Sequence, residues 1–582
     1  MSLDQTPINQ LITDNIDTWT STVKTKATTG RGSSKKLELY GVKKLRELIL
    51  ELAVRGKLVP QDPSDEPASV LIEKIKIKKE QLLKEGTLKK LKKAKVHEAV
   101  LSGENKPTGW AAIDFGDITF NLDAKREPLS VSERKGRQGD YDYYGASGVI
   151  DSIDDYLFDK PLLLIGEDGA NLVSRSTPIA FMARGKYWVN NHAHVIDGIS
   201  EDFLIYLGLY INSISLIPYI TGMAQPKMNQ AKMNSILVLL PPENEQRRII
   251  AKVDELMALC DQLEQQTEAS IAAHQVLVTT LLDTLTNSAD ANELMQNWAR
   301  ISEHFDTLFT TEESIDQLKQ TILQLAVMGK LVPQDPTDEP AAKLLERIAE
   351  EKAQLIKEKK IKKQKALPPI TDDEKPFELP NGWEWCHLNS IISVMDAGWS
   401  PACPPEASPN NDTWGVLKTT AVQNMEYWEH ENKVLASSKE PRPQYEVKKG
   451  DILITRAGPK NRVGVSCLVQ ETRPKLMISD KIIRFHLVEV GMSENYVSLC
   501  LNAGATAAHL ESAKSGMAES QMNISQDKLK VAPVPLAPIK EQLKIISKVE
   551  ELLEFCEQLK VRLRSFQTTQ LHLTDAIVDQ AV

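Results

Sequence analysis

The chain of 582 residues is longer than a single hydrophobic core usually supports, so three or four folded units are expected. It is 41% hydrophobic and 26% charged, and no apolar run approaches the roughly 18 to 20 residues that span a bilayer, which argues against a membrane protein. The formal net charge of −10 argues against a protein that coats nucleic acid without sequence preference, although local basic patches stay possible.

The first residues, MSLDQTPINQLITDN, lack the basic segment, apolar stretch and small-residue cleavage site of a secretory signal. We therefore expect a cytoplasmic protein. The six cysteines form no Cys-x-x-Cys pair and no cluster with histidine at zinc-finger spacing, which favours buried, reduced thiols over disulfides or a structural metal.

A long internal repeat begins at residue 45. Residues 45 to 68 and 318 to 341 align without a gap, with 18 of 24 positions identical, and the same offset of 273 relates the Gly-Trp pairs at 109–110 and 382–383. Apolar residues at helical spacing predict a helix that ends at the glycine and proline of GKLVP. In the first copy these apolar residues are Leu45, Leu48, Ile49, Leu52 and Ala53.

Lysine-rich helical stretches follow each copy of this repeat. Residues 73 to 95 hold ten Lys against three Glu, and residues 352 to 365 hold seven Lys against one Glu. Two interpretations stay open: these stretches are solvated helix faces, or they lie near a DNA backbone.

A second repeat relates residues 245 to 263 to residues 541 to 559, with 11 of 19 positions identical at an offset of 296. Its apolar residues alternate at spacings of 3 and 4, which is typical of a coiled-coil helix. A helix of about 27 residues would span about 40 Å, close to one turn of DNA, and could hold two DNA-reading domains at a fixed distance. The residues on the predicted seam are Ile249, Val253, Leu256, Cys260 and Leu263 in one copy and Val549, Leu552, Cys556, Leu559, Leu563 and Phe566 in the other.

The segments between the repeats share little with each other, so the chain alternates conserved and variable parts. We expect conserved helical regions at residues 1–106, 243–379 and 539–582, and variable domains at residues 107–242 and 380–538.

The order and duplication of these motifs resemble the specificity subunit of a Type I restriction-modification enzyme. The matching stretches are ITDNIDTW (12–19), LRELILELAVRGKLVPQDPSDEPA (45–68), both Gly-Trp pairs, YYGASGVIDSIDDY (143–156), LLLIGEDGANL (162–172), GDILITRAG (450–458), ISDKIIRF (478–485) and both EQ…I…KV-E-L helices. The resemblance covers essentially the whole chain.

The resemblance implies an α+β protein with two α/β target recognition domains, joined by long conserved helices that form an antiparallel coiled coil in a pseudo-twofold arrangement. Each domain would read one half of a split, asymmetric site in double-stranded DNA. It also implies partners: two modification subunits that use S-adenosylmethionine, and two restriction subunits that use ATP and Mg²⁺. No cofactor is expected on this chain. The sequence has no Asn/Asp-Pro-Pro-Tyr/Phe stretch, no GxxxxGK[ST] loop and no Pro-Asp nuclease dipeptide, so we expect a non-catalytic subunit.

Residues suited to DNA contact are basic or amide side chains in loop-like sequence. In the first variable domain the candidates are Lys125, Arg126, Arg134, Lys135, Arg137, Lys227 and Asn229. In the second they are Lys418, Arg456, Lys460, Asn461, Arg462, Gln521 and Asn523.

Plainer roles compete with each of these assignments. A single Arg or Lys is often an exposed surface charge, and Tyr143 and Tyr144 are expected to pack against nearby glycines rather than stack on a base. We expect His192 and His194 to be structural rather than a metal pair, and the acidic pair at 167–168 is explained equally well by backbone capping.

The charge balance supports a rival hypothesis, a duplicated coiled-coil scaffold that does not bind DNA. Residues 110 to 240 contain 11 Lys and Arg against 16 Asp and Glu, and residues 383 to 539 contain 16 against 17. We therefore expect weak DNA binding by the isolated chain, with modification subunits supplying much of the phosphate contact.

Overall fold

The computed structural model describes residues 8–26, 36–88, 106–222, 225–363, 367–371 and 375–582. The chain forms two compact units. Unit 1 comprises Met1–Ser270 and Phe566–Val582, and unit 2 comprises Ile271–Ser565. The α+β class expected from the sequence is confirmed, since each unit combines helices with small sheets.

Unit 1 begins with the conserved helices and continues into the first variable domain. Its helices are α1 (Ile8–Asp14), α2 (Ile16–Ser21), α3 (Tyr40–Val54), α4 (Ala68–Lys84), α5 (Phe115–Ile118), α6 (Val131–Lys135), α7 (Asn171–Ser174), α8 (Glu201–Ser213), α9 (Gln230–Met233) and the first part of α10 (Glu243–Thr286). Its strands are β1 (Lys24–Lys26), β2 (Lys36–Glu38), β3 (Ala111–Asp114), β4 (Phe120–Asn121), β5 (Tyr141–Gly145), β6 (Gly148–Ile153), β7 (Leu162–Gly166), β8 (Ala180–Ala183), β9 (Tyr187–Val189), β10 (Ala193–Asp197) and β11 (Leu237–Leu240).

The sheets of unit 1 are built around the apolar strand β7, in which all five residues are buried. An antiparallel sheet has the order β4-β10-β7-β8, and a second sheet has the order β6-β5-β9 with β5 and β9 parallel. Strand β11 pairs with β3, which joins the end of the variable domain to its beginning. The continuous burial of β7 follows from its run of leucine and isoleucine, since such a strand is covered on both faces.

Unit 2 repeats this plan. Its helices are the last part of α10, then α11 (Ala291–Ser302), α12 (Phe305–Leu308), α13 (Glu312–Val327), α14 (Ala341–Lys357), α15 (Leu388–Ile391), α16 (Glu494–Asn502), α17 (Gly504–Ala513), α18 (Gln526–Lys530) and the first part of α19 (Ile539–Ala581), whose end belongs to unit 1. Its strands are β12 (Glu384–His387), β13 (Ile392–Ala397), β14 (Gly415–Leu417), β15 (Asn432–Val434), β16 (Ile452–Thr455), β17 (Ala457–Gly458), β18 (Ser466–Leu468), β19 (Leu476–Met477), β20 (Ile482–Leu487), β21 (Met522–Asn523) and β22 (Pro533–Leu536).

The sheets of unit 2 are likewise built around a fully buried strand, β16. The largest sheet has the order β13-β20-β16-β18, and a three-stranded sheet has the order β15-β14-β19. Strand β22 pairs with β12, as β11 pairs with β3 in unit 1.

The two long helices exceed the predicted 27 residues. Helix α10 has 44 residues and α19 has 43, so each is about 65 Å long at roughly 1.5 Å per residue. The prediction was too short because it followed the seam only through the repeated stretch. Phe566, which we expected on the seam, is 55% exposed, because the buried face of α19 beyond it passes instead to Thr574 and Ile577.

Each unit combines the beginning of one long helix with the end of the other. In unit 1, Val253 and Leu256 of α10 share a buried cluster with α3 and with Ile577 near the end of α19. In unit 2, Cys556 of α19 shares a cluster with α13 and with Leu282 near the end of α10.

Ion pairs hold the same register in both units. Arg46 of α3 lies 2.7 Å from both Asp261 and Glu264 of α10. In unit 2, Lys319 of α13 pairs with Glu557 of α19. The repeats predict this match, since Arg46 and Lys319 are 273 residues apart and Asp261 and Glu557 are 296 apart.

The repeated GKLVPQ stretch forms a joint under each variable domain. In unit 1, Gly56 has a φ of +67°, and a Cβ there would lie 2.5 Å from Cγ of Pro107. The indole N–H of Trp110 donates to Glu245 (3.0 Å), and the amide of Gln61 donates to its other oxygen (2.5 Å). Burial raises the pKa of Glu245, although these donors oppose the shift.

The joint recurs in unit 2. Gly329 has a φ of +70°, and a Cβ there would lie 2.5 Å from Cγ of Pro380 and 3.0 Å from the Trp383 ring. The amide of Gln334 donates to Glu541 (3.1 Å), whose pKa is also raised by burial. Both repeats and both Gly-Trp pairs therefore recur because they meet at one joint in each unit.

None of the helices within the described residues combines the length and apolar character that crossing a bilayer requires. Among those residues, no group of three or more His, Cys, Asp or Glu is placed to hold a metal ion. Five of the six cysteines are buried, and Cys403 is partly exposed.

Candidate nucleic-acid interface

In unit 1, three chain segments meet beyond the end of β7. The backbone N–H of Glu167 donates to His192 O (2.8 Å), that of Met228 donates to Glu167 O (2.8 Å), and that of Gly169 donates to Pro226 O (3.0 Å). Together with the turn at 123–126, these segments form a surface that we call edge 1, comprising residues 123–126, 166–169, 190–194 and 225–230.

A buried carboxylate links the two stretches in which we predicted DNA contacts. Glu167 lies 2.8 Å from a guanidinium nitrogen of Arg126 and 3.2 Å from Nζ of Lys227. Burial raises the pKa of Glu167, but the charges of His194, Arg126 and Lys227 outweigh it and hold the pKa below its ordinary value. Neighbouring Asp168 pairs with His192 (2.8 Å). The side chain of Glu167 therefore makes ion pairs and that of Asp168 a hydrogen bond to His192, in place of the backbone capping considered from the sequence.

His194 is a structural residue beneath edge 1. Its side chain is 1% exposed, its Nδ1 lies 2.7 Å from Asp123 and its Nε2 lies 2.9 Å from Met228 O. Both partners only accept hydrogen bonds, so the protonated ring satisfies them together. Burial lowers the pKa of His194, but the hydrogen bond to Asp123 and the charges of Asp123 and Glu167 outweigh it and raise the pKa.

Three of the predicted arginines in unit 1 are engaged within the unit. Arg126 is 14% exposed at its side chain and also donates to Ala193 O (2.7 Å). Arg134 pairs with Asp151 (2.8 Å) over the Tyr143 ring, and Arg137 pairs with Asp154 (2.9 Å) over the Trp188 ring. Tyr143 itself is fully buried, in agreement with the packing role expected for it.

The other predicted residues of unit 1 are more accessible. Lys125 and Lys135 are exposed. Lys227 is half-exposed beside Glu167, and Asn229 caps α9 by accepting from the backbone N–H of Lys232 (3.0 Å).

In unit 2, the loops that follow β16 and α17 pair with each other. Strand β17 pairs with β21, the backbone N–H of Ile524 donates to Arg456 O (2.8 Å), and that of Lys460 donates to Glu519 O (2.7 Å). This surface, residues 456–461 and 515–524, is edge 2. Five predicted residues lie on it, namely Arg456, Lys460, Asn461, Gln521 and Asn523.

Arg462 holds a third predicted segment next to edge 2. Its guanidinium donates to Gln423 Oε1 (2.9 Å) and to the carbonyls of Thr419 (2.9 Å) and Val422 (2.5 Å). Burial lowers the pKa of this arginine. Lys418, in the same segment, lies 3.4 Å from Glu431 and keeps about a third of its side chain exposed.

In each lysine-rich stretch, one partly buried lysine donates to backbone carbonyls of the variable domain that follows. Lys79 donates to Thr119 O (3.0 Å) and Lys352 donates to Asn389 O (2.7 Å), at equivalent positions of α4 and α14. Most neighbouring lysines are exposed, and those within 89–95 and at 365 lie outside the described residues.

Edge 1 and edge 2 share one backbone framework. The bond from Met228 to Glu167 O corresponds to the bond from Ile524 to Arg456 O. Helix α9 follows Met228 and helix α18 follows Ile524, and their N-caps Asn229 and Ser525 are 296 residues apart. The first residues of β11 and β22 are separated by the same number of residues. The equivalent position thus holds a glutamate in unit 1 and an arginine in unit 2.

Exposed residues that were not predicted from the sequence also lie on these edges. They are Gln225 and His192 on edge 1 and Met517 and Ser520 on edge 2. A signal for some of them was present, since GMA…MN recurs at 222–229 and 516–523.

Comparison with known proteins places the chain in a family. Residues 107–273 match a family model described as the Type I restriction modification DNA specificity domain. The chain is 53% identical over 603 residues to the Type I restriction enzyme EcoEI specificity subunit of Escherichia coli, covering 99% of this chain and 100% of that protein. It is 38% identical over 611 residues to the EcoAI specificity subunit of Escherichia coli, with the same coverage of 99% and 100%.

A solved structure, the HsdS subunit from Thermoanaerobacter tengcongensis, aligns with 82% of this chain and 98% of its own chain at 16% identity and a TM-score of 0.37. The two full-length relatives are the stronger finding, and they confirm the resemblance drawn from the repeats. The chain therefore belongs to the family of Type I restriction enzyme specificity subunits.

Proposed function

We propose that this chain is the DNA-recognition subunit of a Type I restriction-modification complex, in which edge 1 and edge 2 each read one half of a split, asymmetric site in double-stranded DNA. The observation that carries the proposal is the shared framework with different side chains. Two surfaces built on one backbone plan, but holding Glu167 and Arg456 at the same position, suit the reading of two unlike half-sites.

The conserved parts suit a rigid mount for the two readers. The joint of unit 1, with Gly56 against Pro107 and Glu245 bonded to Trp110, fixes the variable domain to the beginning of α10. The joint of unit 2 fixes the second domain to the beginning of α19. A long helix leads from each joint, α10 from the first and α19 from the second.

In this proposal the catalytic steps are carried out by the partner subunits. Two modification subunits would bind S-adenosylmethionine and methylate DNA, and two restriction subunits would use ATP and Mg²⁺, while this chain binds no cofactor. On edge 1, Arg126, Glu167 and His194 lie close to one another, and Arg126 and Lys227 pair with Glu167. The rival hypothesis, a duplicated coiled-coil scaffold that does not bind DNA, is not favoured, since the two relatives that align over their whole length are specificity subunits.

The test is the methylation pattern in a host that expresses this chain together with its modification subunits. A two-part asymmetric motif is expected in the sequenced genome, and none when either component is omitted. The purified chain alone, given S-adenosylmethionine and DNA, is expected to transfer no methyl groups. Methyl transfer by the chain alone, or a modification pattern that does not depend on the chain, would contradict the proposal.

A further inference from the structure

The arginines of the two variable domains differ in one respect. Each domain contains five arginines, and direct reading of a guanine requires a guanidinium whose donors are free. In the first domain all five are occupied by groups of the same unit. The acceptors are Glu167 for Arg126, Asp151 for Arg134, Asp154 for Arg137, the Ile214 carbonyl (2.6 Å) for Arg175 and Glu201 (2.7 Å) for Arg184.

In the second domain three of the five donate to acceptors of the same unit, and a fourth, Arg442, is exposed, lies over an aromatic ring and is not part of edge 2. Arg442 lies over the Trp399 ring at 4.1 Å, Arg462 donates to Gln423 and two carbonyls, Arg473 donates to Ser408 and to the Pro474 carbonyl (3.0 Å), and Arg484 pairs with Asp396 (2.6 Å). The fifth, Arg456, makes no side-chain hydrogen bond, ion pair or ring contact with any residue that the structure describes.

The backbone of Arg456 is nevertheless held firmly. Its N–H donates to Lys481 O (2.8 Å), its carbonyl accepts from Ile524 (2.8 Å), and the next two residues form β17. The residue is partly buried. A fixed backbone and a side chain without a partner among the described residues together point to an external acceptor.

The surroundings of Arg456 suit a nucleic-acid acceptor. Lys460, Asn461 and Gln521 lie on the same edge and are exposed, and an acid on this edge, Glu519, is paired with Lys460 (3.3 Å). In edge 1 the equivalent position holds Glu167, which Arg126 and Lys227 neutralise. Edge 1 therefore has no counterpart to Arg456 among the described residues.

We propose that Arg456 reads one guanine in the half-site bound by unit 2, by donating two N–H groups to O6 and N7 in the major groove. This inference rests on the proposed function. The guanidinium fork matches these two acceptors, and no other base edge in that groove offers the same adjacent pair. Unit 1 reads its half-site without an arginine, by the lysines and amide side chains of edge 1.

The test uses the full chain assembled with its modification subunits, methylating a library of duplexes that carry every single-base change in both half-sites. For the unaltered chain, replacing one guanine in the second half-site is expected to slow methylation about 5- to 150-fold. In Arg456→Ala this preference is expected to disappear at that position alone, with the first half-site unchanged. Arg456→Lys keeps the charge and loses the fork, so its preference there is expected to be weakened.

Lys460→Ala serves as the comparison on the same loop, because removing a phosphate-binding charge there would weaken binding evenly across sequences and reduce the salt dependence. The same even weakening in Arg456→Ala would assign Arg456 to phosphate and overturn the inference. An unchanged motif in both Arg456 variants would overturn it as well. Since the unaltered chain must first yield a two-part motif, failure of the proposed function is distinguished from failure of this inference.

Discussion

Substitution of Gly56 by alanine tests the joint that both repeats build. Gly56 has a φ of +67°, a conformation that alanine adopts at a cost of about 1 kcal/mol. The new Cβ would also lie 2.5 Å from Cγ of Pro107, a ring that cannot rotate away. Such overpacking costs typically about 1 to 3 kcal/mol. We therefore expect Gly56→Ala to destabilise unit 1 by about 2 to 4 kcal/mol.

Gly86 provides a matched control in the same unit. Its φ is +73°, but a Cβ there would meet no heavy atom within 4 Å. Gly86→Ala thus carries the backbone cost alone, about 1 kcal/mol. The comparison separates strain in the turn from packing in the joint.

Differential scanning calorimetry of the full chain measures both variants. At about 2 to 4 °C per kcal/mol, Gly86→Ala should lower the unfolding temperature by a few degrees and Gly56→Ala by two to four times as much. Gly329→Ala should match Gly56→Ala, since its Cβ would lie 2.5 Å from Pro380. Equal shifts in unfolding temperature for Gly56→Ala and Gly86→Ala would refute the close packing of Gly56 against Pro107.

Two further predictions concern the buried charge beneath edge 1 and the long helix α19. The pKa of His194 is raised in the folded state, so its stabilising contribution is complete below about pH 6.5 and is lost as the pH rises through the folded pKa. The unfolding temperature of the unaltered chain should therefore fall over this pH range. The His194→Gln variant should not show this fall. Identical pH profiles for the two chains would contradict the assignment. Leu552→Asp places an unpaired charge in a site that is 8% exposed and should destabilise unit 2 by several kcal/mol, whereas Leu543→Asp on the same helix, at 57% exposure, should be nearly neutral. Similar calorimetric shifts for these two variants would rule out the packed seam.

The repeats predicted the frame well because each repeated residue has a local physical reason. Gly56 ends a helix in a left-handed conformation, and Leu256 falls on a seam of regular spacing, so both could be placed from the sequence. The length of α10 was underestimated, because the residues beyond the repeat have no counterpart in the chain with which to compare them.

The two edges that we propose contact DNA were identified only in part from the sequence. The segments of edge 2 were each identified, but their pairing through β17 and β21 joins residues more than 60 positions apart, which periodicity does not reveal. For the same reason, the hydrogen bonds of Arg126 and Arg462 within their own units could not be predicted from the sequence. Their acceptors, Glu167 and Thr419, lie about 40 residues away along the chain, so each arginine looked like an exposed charge.

Exchange of one variable domain tests the central claim most directly. Residues 110–240 would be replaced by the corresponding segment of a relative with a different specificity, and the methylated motif would be read by genome sequencing in a host with the modification subunits. The account predicts a new first half-site, with the second half-site and the gap between them unchanged. A change in both half-sites, or in neither, would contradict the claim that each variable domain reads its own half-site independently.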